Sequence, residues 1–189
     1  VLPSAAPQCR LVYRSSTQVE LQFGVLPLNV SGRWLRRVVS TSLVGHTSGL
    51  AASTLYYVYA AEHPSIQGST ILVFSTTSYT SDTAYGVAIQ QGNISNTLVA
   101  QVRTNGGTLF ADSNTQRFVA PYLNRRARYG SGVFTTNRTT TALGFVELDR
   151  EIRNEFLIWA DEGVFIGLSG SIAPANLDSA STGIGIDGS

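Results

Sequence analysis

Between residues 49 and 126, short apolar segments recur with turn residues between them, and this rhythm constrains the fold more than any other feature of the chain. Residues 55–61 (LYYVYAA) are apolar on both faces of a strand, which predicts a central strand covered on both sides. Residues 70–75 (TILVFS) predict a second buried strand of the same kind. We therefore expect extended β-structure rather than helices.

Turn residues predict two reversals of the chain in the same region. Residues 86–91 and 97–104 predict a hairpin around Gly92. The second of these strands ends at Asn105-Gly106, a dipeptide that accepts positive φ at both central turn positions. The chain is therefore expected to turn back into residues 108–111.

The N-terminal part predicts a sheet with one solvent-facing side. Val19, Leu21 and Phe23 alternate with glutamine and glutamate, which is typical of a half-buried strand. Residues 34–43 fit either a strand or a short amphipathic turn. Further short strands are predicted at residues 10–14, 117–120, 133–136 and 143–148, and near residues 183–187.

Residues 147–162 allow two interpretations. Apolar side chains recur at helical spacing from Leu148 to Trp159, which favours a helix. However, residues 156–159 form a continuous apolar run, and the acidic turn after them leads into residues 164–170 (VFIGLSG), which favours a β-hairpin. The hairpin is the preferred interpretation, with one helical turn before it.

Together these segments predict eight to eleven strands with no parallel βαβ rhythm. The predicted fold is all-β, an antiparallel jelly-roll-like β-sandwich. With 189 residues, the chain is expected to form one domain over residues 1–189, with a short N-terminal extension over about residues 1–9.

The charge pattern argues against nucleic acid as a partner. The chain has no lysine, and its 13 arginines and 12 acidic residues leave a formal net charge of +1. Nucleic-acid packaging usually needs a concentrated basic arm, whereas the first ten residues hold a single arginine. The most basic cluster contains Arg125, Arg126 and Arg128, which predicts either a contact with a neighbouring subunit or the capping of a sheet edge through pairing with acids. No apolar run is long enough to predict a membrane span.

The acidic group between Glu147 and Glu162 is the one place where paired carboxylates would suit a glycan-degrading enzyme. Arg150 and Arg153 lie among these acids, so a charge-compensated surface explains the group more simply. The sequence also lacks a phosphate-binding loop with lysine and a G-x-S-x-G nucleophile motif. We therefore predict a non-enzymatic protein with no catalytic residues.

Metal and cofactor sites are not predicted either. His46 and His63 are the only histidines, and their spacing matches no zinc-binding motif. Cys9 is the only cysteine, which excludes an intrachain disulfide and leaves an interchain bridge conceivable.

Tyrosine side chains are the strongest candidates for a binding role. Each combines a flat apolar ring with a polar hydroxyl, so a tyrosine can stack on a sugar or anchor a protein partner. Tyr79 and Tyr85 flank the polar residues 80–84 (TSDTA) and are expected to be exposed. We predict these two as glycan or partner contacts, and a carbohydrate-binding module is therefore an alternative to a purely structural role.

Five segments together resemble a module of tailed-bacteriophage and prophage virion proteins, and CRL at residues 9–11 resembles its usual opening. The segments are GLAASTLYYVYA from Gly49, NTLVAQVRT from Asn96, FADSNTQRFV from Phe110, YLNRR from Tyr122 and EFLIWADE from Glu155. The likeness covers most of the chain, and residues 15–47 depart from the pattern. Its motifs are structural alternations and carry no catalytic residue.

The resemblance implies a β-rich, homotrimeric structural protein of the virion, assembled in the bacterial host cytoplasm. It would lie on the particle as a head decoration, spike or tail-fibre component, and would stabilise the particle or aid host attachment. Other virion proteins and host surface polysaccharide are the implied partners, and the arginines at 125, 126 and 128 would contact a subunit or the virion.

Overall fold

The computed structural model describes residues 9–24, 28–30, 32–35, 43–66, 69–141, 147, 150–169 and 184. These residues are all-β and mainly antiparallel, as the sequence predicts, and they form thirteen strands and one 3-10 turn, Arg150–Ile152. The strands are β1 Cys9–Ser15, β2 Gln18–Phe23, β3 Leu28–Val30, β4 Arg33–Leu35, β5 Leu43–His46, β6 Leu55–Glu62, β7 Thr70–Ser75, β8 Tyr79–Asp82, β9 Val87–Gln90, β10 Asn93–Arg103, β11 Gln116–Arg117, β12 Val119–Pro121 and β13 Glu155–Phe156.

A six-stranded antiparallel sheet forms the centre of the described structure. Its strand order is β7-β6-β10-β9-β8, and β12 also pairs with β10. The long strand β10 pairs with β6 along one edge and with β9 and β12 along the other. The predicted hairpin around Gly92 is confirmed, and Gly92 has a φ of +80°, which a residue without Cβ adopts easily.

A three-stranded sheet, in the order β1-β2-β5, packs on one face of the six-stranded sheet, which we call the inner face. The two sheets share one buried cluster, so the β-sandwich is formed. Val19 and Leu21 are fully buried, which confirms the half-buried strand predicted there. The cluster contains Cys9, Leu11, Val19, Leu21, Leu28, Val30, Tyr56, Val58, Ala60, Val99, Ala100, Val102, Phe110 and Val119.

The opposite, outer face of the six-stranded sheet carries a second buried cluster, formed by Tyr59, Ala88, Leu98, Ala120 and Trp159. Strand β6 therefore contributes to both clusters, and its prediction as a central strand covered on both sides is confirmed. The cover on this side is not a sheet but the segment after residue 154, which supplies Trp159.

The predicted hairpin in residues 147–162 is wrong. One helical turn does precede the segment, at Arg150–Ile152, but β13 pairs in parallel with β11, and residues 164–169 form no strand. Leu157 and Trp159 of the apolar run pack on the sheet, whereas Phe156 and Ile158 are exposed. Burial against a distant part of the chain outweighs the local hairpin pattern.

Strand β7 differs from its prediction as a strand buried on both sides. It lies at the edge of the six-stranded sheet, and its residues are half-buried throughout. One of its faces packs closely on β5, where a Cβ on Gly45 would lie 2.6 Å from Cζ of Phe74. A glycine at this crossing lets the ring of Phe74 lie close to the backbone of β5, and a larger residue would force that ring to move.

Other expectations meet mixed outcomes. The turn predicted after Asn105 forms, but the residue with a positive φ, 63°, is Thr108 and not a glycine. Oδ1 of Asn105 accepts hydrogen bonds from the backbone N–H groups of Gly107 and Leu109, and these bonds fix the turn. Residues 133–136 form no strand. Of residues 34–43, predicted as a strand or a short amphipathic turn, 34–35 lie in β4, 43 begins β5 and 36–42 lie outside the described residues. The strands predicted at residues 143–148 and 183–187 and the N-terminal extension also lie outside them, apart from residues 9, 147 and 184.

The sheets stack as a sandwich, but the jelly-roll connectivity is not confirmed and stays a prediction.

Within the described residues, no helix is both long and apolar enough to span a bilayer.

Candidate functional site

Four aromatic side chains meet on the outer face of the six-stranded sheet, and we call them the aromatic cluster: Tyr57, Tyr79, Tyr122 and Trp159. The ring centroid of Tyr79 lies 5.8 Å from each of the other three, and those of Tyr122 and Trp159 are 5.0 Å apart. The rings are tilted or edge-to-face, which is the favourable geometry for aromatic pairs. Tyr79 is therefore held at the centre of the cluster.

Strand positions and one covering segment bring these rings together. Tyr57 lies on β6, Tyr79 begins β8 and Tyr122 follows β12. Trp159 lies in the segment after β13, and its Nε1 donates a hydrogen bond of 3.0 Å to the backbone oxygen of Pro121. Glu162 fixes the same turn, because its carboxylate accepts a hydrogen bond of 2.9 Å from the backbone N–H of Trp159.

Arg125 and Asp161 form a charged rim beside the aromatic cluster. The guanidinium of Arg125 lies 5.3 Å from the ring centroid of Tyr122 and 5.2 Å from that of Trp159, which is cation–π distance. It donates a 2.6 Å hydrogen bond to the carboxylate of Asp161 and another to the backbone oxygen of Tyr122. The bond from Arg125 is the largest influence that lowers the pKa of Asp161. Asp161 is thus an oriented carboxylate, with a side chain that is 73% exposed.

The polar ends of the tyrosines differ in their hydrogen bonding. The buried Tyr59 donates its hydroxyl to the backbone oxygen of Thr77 at 2.8 Å, and burial raises its pKa to about 12. The hydroxyls of Tyr57, Tyr79 and Tyr122 make no hydrogen bond within the described part of the chain. Burial also raises the pKa of Tyr122, with further contributions from the nearby phenol of Tyr79 and from Asp161.

The two tyrosines predicted as contacts lie in different surroundings. Tyr79 is 37% exposed and belongs to the aromatic cluster, whereas Tyr85 is 48% exposed and lies in the turn between β8 and β9. The hydroxyl of Tyr85 approaches the backbone of Gly32, where a Cβ would lie 2.9 Å from it. Both are exposed, as predicted, but only Tyr79 has aromatic neighbours within stacking distance.

The three arginines predicted as contacts also lie in different surroundings. Arg128 donates hydrogen bonds to the backbone oxygens of Val119 and Leu157, and so ties the segment that covers the outer face to the edge of the sheet. Burial lowers its pKa. Arg125 is engaged by Asp161, and only Arg126 is exposed. Arg125 and Arg128 therefore follow the interpretation in which they cap a sheet edge and pair with acids.

The acidic segment proposed for glycan cleavage is tied to arginines. Asp149 lies outside the described residues, and each of the other acids between residues 147 and 162 lies within 2.5–3.9 Å of an arginine nitrogen. The pairs are Glu147–Arg153, Glu151–Arg138, Glu155–Arg103, Asp161–Arg125 and Glu162–Arg128. These pairs explain the segment as a set of ionic contacts.

Two carboxylates of this segment, Glu151 and Glu155, line a cavity. This cavity of about 420 Å³ is lined by Thr115, Gln116, Arg150, Glu151, Arg153 and Glu155. A hydrogen bond from the hydroxyl of Thr135 lowers the pKa of Glu151, with Arg138 acting in the same direction. Glycoside hydrolysis needs one carboxyl with a raised pKa, so the shift at Glu151 runs opposite to that requirement.

Residues with metal-binding or nucleophilic potential are dispersed. Among the described residues, no three His, Cys, Asp or Glu side chains are grouped so as to hold a metal ion. The Nδ1 atom of His63 accepts a hydrogen bond from the backbone of Ser65. Cys9 is buried in the inner cluster, and this burial raises the pKa of its thiol to about 12. A buried neutral thiol is a poor partner for the interchain bridge left open by the sequence.

Sequence reasoning named Tyr79 and Arg125 as separate candidates and did not predict that the fold brings them together. Tyr122, Arg125, Trp159 and Asp161 lie in two of the motifs quoted above, YLNRR and EFLIWADE. The available signal was an unexplained tryptophan after a short apolar run, followed by an acid. Its pairing with Tyr122 depends on the parallel contact of β11 with β13, which has no local signature.

Comparisons with known proteins add no homologue: no family model, curated protein or solved structure matches this chain.

Proposed function

We propose that this chain is a non-enzymatic structural protein of a tailed-phage virion, displayed on the particle as a head decoration, spike or tail-fibre component. The sequence resemblance supports the setting, and the all-β sandwich is compatible with it. The role is to stabilise the particle or to aid attachment to the host.

One observation carries the proposal: an uncovered apolar strip at residues 164–168. Phe165 is 99% exposed, and Val164, Ile166 and Leu168 are each about half exposed. Covering apolar surface contributes about 25 cal/mol per Å², so a run of such side chains favours contact with another protein surface. The strip therefore supports assembly with neighbouring chains.

A homotrimer is the assembly that we propose. Strand β6 is apolar on both faces, but the chain itself covers its outer face through Trp159. The exposed apolar surface that favours contact with another chain is instead the strip at residues 164–168. Closed symmetry would bury it in each copy without leaving an open chain of contacts.

Light scattering of the purified chain at micromolar concentration tests the assembly. We expect a trimer for the wild type and a monomer for Phe165→Asp, because the substitution places a charge in the contact. Val133→Asp is the matched control, since Val133 is also an exposed apolar residue but lies outside the strip. A monomeric wild type would contradict the trimer. Gold-labelled antibodies viewed on intact particles by electron microscopy test the virion location, and unlabelled particles would refute it.

A further inference from the structure

Tyr79 is an exposed aromatic ring that is already fixed in position. The ring centroids of Tyr57, Tyr122 and Trp159 each lie 5.8 Å from that of Tyr79, yet Tyr79 is 37% exposed. A ring held in this way loses little conformational freedom when a ligand stacks on it. This distinguishes it from an ordinary surface tyrosine.

Polar groups of complementary kinds surround the open ring. The hydroxyls of Tyr79 and Tyr122 are not used in hydrogen bonds within the described residues, and the carboxylate of Asp161 is exposed and oriented by Arg125. The site thus offers an apolar face, hydroxyl groups that can donate or accept, and a carboxylate that accepts. A pyranose ring presents the matching features, an apolar face of C–H groups with hydroxyls at its edge.

The geometry points to a saccharide-binding site in which a neutral hexopyranose stacks on Tyr79 and hydrogen-bonds to Asp161 and to the hydroxyl of Tyr122. The inference rests on the attachment role proposed above, and it names the ligand class that would serve that role.

Charge decides between neutral and acidic sugars. Arg125 lies at cation–π distance from the aromatic cluster, and its guanidinium is occupied by Asp161 and by the backbone of Tyr122. Asp161 is the more exposed member of that pair. An anionic sugar would meet this carboxylate while the guanidinium of Arg125 is already engaged, so uronic acids are disfavoured.

Saturation-transfer NMR with the full chain tests the site. The probes are glucose, galactose, mannose and N-acetylglucosamine as neutral sugars and glucuronic acid as the anionic one. We expect at least one neutral sugar to bind with a dissociation constant of about 1 mM, which is typical of one weak, solvent-exposed contact. Glucuronic acid should bind more weakly than glucose.

Variants assign the binding to these residues. Tyr79→Ala should weaken binding at least about tenfold, and Asp161→Asn should weaken it less while keeping the shape of the side chain. Tyr129→Ala is the matched control, because Tyr129 is 79% exposed and lies outside the aromatic cluster. Circular dichroism of each variant confirms that the fold is kept.

Each outcome decides the inference. No saturation transfer with any neutral sugar, stronger binding of glucuronic acid, or equal effects of Tyr79→Ala and Tyr129→Ala would overturn it. A wild type that binds sugar but is monomeric by light scattering would overturn only the proposed trimer. A trimer that Tyr79→Ala converts to monomers would identify the aromatic cluster as a subunit contact and would refute the sugar site.

Discussion

The two faces of the six-stranded sheet are covered in different ways. The inner face meets another regular sheet, and mainly aliphatic side chains such as Val58 and Leu21 fill the space between them. The outer face meets an irregular segment whose aromatic anchor is Trp159, held down by side-chain hydrogen bonds to backbone oxygens. The inner face therefore depends mainly on packing, whereas the outer face combines packing with polar bonds that can be removed one at a time.

The largest effect is expected from a charge on the inner face. Val58 is fully buried, so Val58→Asp would place an unpaired carboxylate among aliphatic side chains and should destabilise the fold by more than about 4 kcal/mol. Far-UV circular dichroism and thermal unfolding measure this. Thr80→Asp, on the exposed strand β8, should leave stability within about 0.5 kcal/mol. A folded Val58→Asp protein with normal stability would disprove the packing assigned to the inner face.

Removal of the outer anchor should have a smaller and more local effect. Trp159 is 3% exposed, and Trp159→Ala is expected to cost about 3 kcal/mol. Hydrogen exchange should show lost protection around residues 155–162 and β12, while β1 and β2 keep theirs. Equal loss of protection in all strands would mean that the two faces are not independent.

A single polar tie on the outer face should matter less again. Arg128 donates to the backbone oxygens of Val119 and Leu157, so Arg128→Gln should cost about 1–2 kcal/mol in urea unfolding. The exposed Arg126 is the natural comparison, and Arg126→Gln should be nearly neutral. The role assigned to Arg128 would be refuted if the two variants lost the same stability.

The smallest effect is expected in the pH dependence of the free energy of unfolding. Arg125 holds the pKa of Asp161 below its ordinary value of 3.8. Because the carboxyl binds its proton more weakly in the folded protein, the Arg125–Asp161 pair stabilises the fold at pH values above this ordinary pKa. The stabilisation is lost as the pH falls through the lower folded pKa. Urea unfolding at about pH 7 and about pH 3 should therefore show a drop that is smaller in Arg125→Gln than in the wild type. An identical drop in both proteins would exclude this pair as a source of the acid dependence.

The inner face could be predicted from the sequence because its pattern is local. The alternation of Val19 and Leu21 with polar residues indicates one buried side, and the apolar run of β6 indicates two. The same reasoning misplaced β7, because an apolar run records burial and does not reveal whether the strand has one neighbour or two.

The outer face could be predicted only in part. Tyr79 was identified from the polar residues beside it, but the pairing of β11 with β13 joins Gln116 to Glu155, 39 residues apart. A parallel contact of two residues leaves no periodicity, and the energy that selects it comes from the burial of Trp159 against the sheet. The proposed sugar site could be recognised only once the fold had brought Tyr122 and Asp161 to Tyr79.

The late position of Trp159 in the chain has a consequence for biosynthesis. The ribosome makes Tyr59 and Leu98 well before it makes the segment that shields them. Until translation passes that segment, the nascent chain exposes apolar surface. Chaperones bind such surface, and it favours aggregation at high concentration. Premature termination shortly before residue 155 would thus yield insoluble fragments rather than a smaller working protein.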